Sequence, residues 1–180
     1  MENPLRIEPW DDSQSDASRM LWLSTAYAEG ATILSESLVE DGFQSRHEST
    51  LVILHLCRHA YELFLKGAIS SKTGKPPAKT HRLDVLHARY RSLYPLDRYQ
   101  IDAPFSSQVF EDVSGGLFPG SLESYQRSHD QRFRYPTDAN GHMFKECGEF
   151  DAIAYQAAIR KFHSQVCRMV ARIEFDWWSY

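Results

Sequence analysis

Cysteine is scarce in this chain of 180 residues: Cys57, Cys147 and Cys167 are an odd number, widely separated, and none sits in a C-x-x-C pair. That composition gives no disulfide framework and fits a reducing compartment. Two of the three fall inside helical patterns, where a free cysteine behaves as a small apolar residue. Long apolar runs are missing as well. The longest aliphatic run, "LVIL" at residues 51–54, is far short of the ~20 residues a membrane-spanning helix needs. The opening "MENPLRIEPW" has no basic segment leading into an apolar one, so no secretory signal is expected. These absences point to a cytoplasmic protein without a membrane partner.

A large charge of one sign is also lacking. The net charge is -4, which gives no support for strong non-specific nucleic-acid binding. The balance is uneven along the chain, however. Residues 1–50 carry three Lys/Arg against ten Asp/Glu, and residues 51–100 carry nine against three. The basic middle either faces phosphate or offsets the acidic first segment within the fold. Glycine-rich phosphate loops are absent, since "SGGLFPGS" at residues 114–121 matches neither the P-loop nor the dinucleotide pattern. No G-x-S-x-G or Cys/His nucleophile pattern is present either. No cofactor is expected. There is no marked β-alternation and no internal repeat.

What the chain does have is helical periodicity. "DDSQSDAS" after Pro9 offers N-cap residues and acids for a first turn. Met20, Leu23, Tyr27, Ala31, Leu34 and Leu38 then alternate threes and fours, which predicts one long helix containing Gly30 and stopping near Gly42. Residues 46–72 predict a second helix with an apolar stripe through Leu54, Cys57, Tyr61, Phe64 and Ala68. Ile53, Leu56, Ala60 and Leu63 widen that stripe, as in a helix contacted from several sides. "KTGKPPAKT" breaks the chain, and Thr80 is the expected cap of a third helix carrying Leu83, Leu86, Tyr90 and Leu93. Residues 96–148 are loop-rich. A last helix is expected along Ala152, Tyr155, Ile159, Phe162, Val166, Met169 and Ile173. The expectation is a single all-α domain over 1–180, an antiparallel bundle of about four main helices with a loop-rich insertion before the last.

The stretch "RHAYELFLKGAISSKTGKPPAKTHRLDVLHARY" resembles the HEPN superfamily (higher eukaryotes and prokaryotes nucleotide-binding). Its members commonly show "R-x-A-x-E-L-x-L-K-A", a glycine-containing loop and "H-x-L-x-x-L". Arg58, Ala60, Glu62, Leu63, Leu65, Lys66 and Ala68 fit the first phrase, with Gly67 intervening, and His81, Leu83 and Leu86 fit the second. "FRYP" at residues 133–136 is similar to a phrase in some bacterial members. The resemblance implies a helical bundle, often a homodimer, that acts on or near RNA or nucleotides. Many members are metal-independent ribonucleases using an arginine and a histidine separated by four to six residues. Others are binding modules, beside a nucleotidyltransferase or within toxin–antitoxin and phage-defence systems.

Metal-free RNA cleavage needs a base for the 2′-hydroxyl proton and a cation on the phosphate, roles suited to His and Arg. Arg82 and His87 have a permitted spacing, yet five positions on a helix place them about 140° apart. They also lie within the "H-x-L-x-x-L" helix, where the nuclease pair usually follows it. Solvated residues of an amphipathic face are the alternative reading. "QRFRYPTDANGH" offers Arg134 and His142, separated by seven residues, as a displaced catalytic pair, with Arg132, Arg134 and Tyr135 as an anion-binding group. Its alternative is an ordered turn with Arg134 paired to an acid. His55, His59 and Glu62 have a zinc-like spacing, but Glu62 and Lys66 at i, i+4 more naturally form an ion pair, and no metal is expected. The aromatic "EFDWWSY" end suits either base stacking or burial in a partner subunit.

Overall fold

The computed structural model describes residues 13–40, 46–101, 140–141 and 152–175. The first helix, α1, spans Asp16–Val39. Ser15 caps it, its hydroxyl accepting the Ser18 N–H at 3.2 Å, which satisfies one of the donors a helix start leaves unpaired. Helix α2 spans Arg46–Thr73 and α3 spans Leu83–Leu93. A 3-10 turn follows at Asp97–Tyr99, and α4 spans Ala152–Phe175. No strand is present among the described residues. The expected all-α helical bundle is therefore the architecture found, but only α1 runs against the other helices, so the up-and-down antiparallel order expected of short hairpins is not; most of the loop-rich stretch over 96–148 lies outside the described residues.

Cross-helix contacts fix the directions. Gly67 of α2 lies against Ala17 and Leu21 at the start of α1, whereas Gly30, further along α1, lies beside Leu56. Helix α1 thus runs antiparallel to α2. It runs antiparallel to α4 too: Ser18 donates to Glu174 at 2.7 Å, and Arg160 pairs with Glu36 at 2.8 Å. The short α3 takes the same direction as α2, because Tyr61 meets His87, Phe64 meets Tyr90 and the Tyr94 hydroxyl donates to the Ala68 carbonyl at 3.0 Å. The connection between them turns at Gly74, whose φ of +64° is the left-handed conformation that ends a helix. Pro76 and Pro77 prevent its continuation.

The core is continuous. Leu54, Cys57, Tyr61, Phe64 and Ala68 are buried as their spacing predicts, and so are Ile159, Phe162, Val166, Met169 and Ile173 of α4. Helix α1 differs from expectation. Its buried face is Leu21, Ser24, Ala28, Ala31, Ser35 and Leu38, so Met20, Leu23, Tyr27 and Leu34 lie to one side of it. Small residues win that face because they let two backbones approach closely. The serines cost little there, as Ser24 and Ser35 donate to the carbonyls of Leu21 and Thr32 at 2.6 and 2.8 Å. The helix also ends three residues short of Gly42. Thr80 is not the α3 cap; its hydroxyl accepts the Arg82 N–H at 3.1 Å, and the cap position is Arg82. Among the described residues no helix is long and apolar enough to cross a membrane.

Candidate functional site

Polar side chains gather where α2 meets the start of α3. Along α2, Arg58, Glu62 and Lys66 follow i, i+4 spacing and share one helix face. Glu62 Oε1 accepts from Lys66 Nζ at 2.9 Å and from His81 Nδ1 at 2.8 Å. Its other oxygen faces Arg58 Nη2 at 3.4 Å, and the Arg58 and Glu62 side chains are only 3% and 6% exposed. The same Nη2 donates to the His81 carbonyl at 3.2 Å, tying the α2–α3 connection down at its far end. Burial pushes the Glu62 carboxyl up, but the hydrogen bond and charge of Lys66, the charge of Arg58 and the His81 hydrogen bond outweigh it and hold it below the usual carboxylate range. Glu62 is therefore ionised and acceptor-only. Around it sit two largely buried cations, Arg58 and Lys66, and a histidine whose side chain is 60% exposed.

A second pair lies one residue from this hub. The Tyr61 hydroxyl hydrogen-bonds His87 Nδ1, and the Tyr61 ring meets Phe162 of α4 edge-on at 6.1 Å. Burial, and then the charge of Arg91, push the His87 pKa down, so its imidazole is neutral near pH 7. Arg82, by contrast, lies at the surface and grips Asp84 with two bonds, Nη2 to Oδ2 at 2.8 Å and Nε to Oδ1 at 3.3 Å. Arg82 and His87 thus turn to different partners. That is the divergence their five-residue spacing on a helix implies.

Arg132, Arg134, Tyr135 and His142 lie outside the described residues. The zinc-like triplet is not assembled: His55 and His59 stack on each other at 5.8 Å, Tyr27 abuts His59, and Glu62 belongs to the ion cluster. No group of three His, Cys, Asp or Glu is placed to hold a metal among the described residues. Cys57 is buried and its thiol is pushed up to about 12, which makes it inert packing.

Along the α2–α3 connection and on α3, Lys75, Lys79 and Arg89 are exposed and enter no ion pair among the described residues. Sequence spacing gave the Glu62–Lys66 pair directly. It did not give the Tyr61–His87 contact or the proximity of Arg91, although His87 and Arg91 at i, i+4 are a signal for the latter. Comparison with family models, with curated proteins and with solved structures finds no match for this chain.

Proposed function

We propose that this protein is a HEPN-like binding and dimerisation module that engages RNA or nucleotides through the α2–α3 face. The observation that carries this reading is the convergence of Arg58, Glu62, Lys66 and His81. These are the charged and histidine positions of the resemblance, and they form one cluster around Glu62. Lys75, Lys79 and Arg89, exposed along the α2–α3 segment, present positive charge to solvent, where it can pair with phosphates. Exposed Trp22 and Phe175, in edge contact at 6.5 Å, supply apolar surface for a second copy. A role in bacterial toxin–antitoxin or phage defence, with an antitoxin or nucleotidyltransferase partner, is the context that the resemblance implies.

Single-stranded RNA binding, followed by fluorescence anisotropy across a salt series and alongside a cleavage assay in chelator, tests the reading. Saturable, salt-sensitive binding without cleavage is the expected result. Metal-independent cleavage lost with His142→Ala would make the protein a ribonuclease using Arg134 and His142, and loss with His87→Ala alone would assign the α3 histidine. The absence of both binding and cleavage overturns the module and leaves a structural subunit of a partner enzyme.

A further inference from the structure

Helix α3 carries an arginine–histidine pair other than the one its sequence first suggests. His87 and Arg91 are four positions apart and so share one face of the helix, whereas Arg82 is the extended cap residue before α3 and turns to Asp84. Arg91 is close enough for its charge to act on His87. Arg91 Nη1 is shut off from solvent and has no hydrogen-bond partner among the described residues, although the residue as a whole is only half-buried. An unsatisfied guanidinium N–H is costly, because its hydration has been lost with nothing in exchange.

On the other side of the imidazole, the Tyr61 hydroxyl engages Nδ1. With Tyr61 as donor, the ring proton resides on Nε2, and the free edge of His87 presents an N–H. Two donors, one of them cationic, then stand on one helix face. Among the described residues, Asp84 of α3 is already engaged by Arg82 and Glu62 of α2 by Lys66, Arg58 and His81.

We propose that Tyr61, His87 and Arg91 form a phosphate-binding site, in which a phosphate oxygen accepts from Arg91 Nη1 and from His87 Nε2 after a rotamer swing of Arg91. This rests on the RNA reading only for the source of the phosphate, an RNA backbone; the donor set itself suits any phosphate. Arg is the fitting cation because its planar fork can hold two oxygens at once.

The test separates the two readings. The ring nitrogens of His87 are followed by NMR while inorganic phosphate is added to the full chain. Saturating shifts of the His87 resonances are expected. Arg91→Gln should weaken phosphate binding about tenfold or more, the loss of a charge-assisted hydrogen bond, and Arg82→Gln should leave it unchanged. Arg91→Lys, which retains charge without the fork, guards against a variant that merely misfolds and should bind with intermediate strength. A linear response that never saturates, or one that Arg82→Gln alters as much as Arg91→Gln, overturns the site. Saturation by phosphate with no RNA binding keeps the site and removes the RNA source. RNA binding without a phosphate response at His87 keeps the module and removes the site.

Discussion

Glu62 is the residue on which the α2–α3 junction depends, because one buried carboxylate pairs with both Arg58 and Lys66 and receives His81. Removing it strands two cations in a poorly solvated place. Glu62→Ala should therefore cost about 3–5 kcal/mol in urea denaturation, and Arg58→Ala or Lys66→Ala less, since each leaves another cation on the carboxylate. Half of this hub was legible. Glu62 and Lys66 at i, i+4 announce their own pairing, but His81 comes from 19 residues away, across a break whose path no periodicity encodes.

His87 makes stability depend on pH. Its pKa falls below the ordinary 6.5 on folding, so between the two values the unfolded chain holds more protons. Its contribution is complete above about pH 6.5 and is lost as pH falls toward the folded value. Glu62, also depressed on folding from an ordinary 4.5, adds a further loss at lower pH. Denaturation series between about pH 7 and pH 5 should show falling stability in the native chain. A flatter profile is expected for His87→Gln.

At the scale of the element, α1 shows why a helix can be foreseen while its buried face is misplaced. Its periodicity is visible from Met20 to Leu38, but the buried face includes Ser24, Ala28, Ala31 and Ser35. Large apolar residues draw attention to a stripe one position away. Close approach, which depends on the partner helix, decided otherwise. The two glycines of the hairpin register this directly. A Cβ on Gly67 would stand 2.9 Å from Leu21 Cγ and 3.0 Å from the Ala17 carbonyl oxygen, whereas one on Gly30 would find its nearest neighbour at 3.9 Å. Gly67→Ala should accordingly cost about 1–3 kcal/mol through overpacking. Gly30→Ala should stabilise by up to ~1 kcal/mol, because it removes an interior helical glycine at no steric cost. Thermal denaturation of the two single variants checks both signs. Helices α2 and α4 were legible in pattern and face alike, because Phe64, Phe162 and their neighbours are large, apolar and regularly spaced.

For the whole molecule, the decisive feature is the uneven distribution of charge within a chain of modest net charge. The basic residues of the middle segment are used in two ways. Arg58 and Lys66 are spent on Glu62 and Arg82 on Asp84, while Lys75, Lys79 and Arg89 remain exposed. Composition could not distinguish these uses, since pairing is a property of the fold. The candidate group at Arg132, Arg134, Tyr135 and His142 lies outside the described residues, and its test is the His142→Ala cleavage assay. The most direct measurement of the central claim is the affinity for single-stranded RNA as a function of salt, for the native chain and for the double variant Lys75→Gln, Lys79→Gln. Two phosphate contacts on a single strand contribute roughly 1.4 to the slope of log affinity against log salt. Saturable binding is expected, with a slope that becomes shallower by about that amount in the variant. Binding that the substitutions leave unchanged, or no binding at low salt, would contradict it.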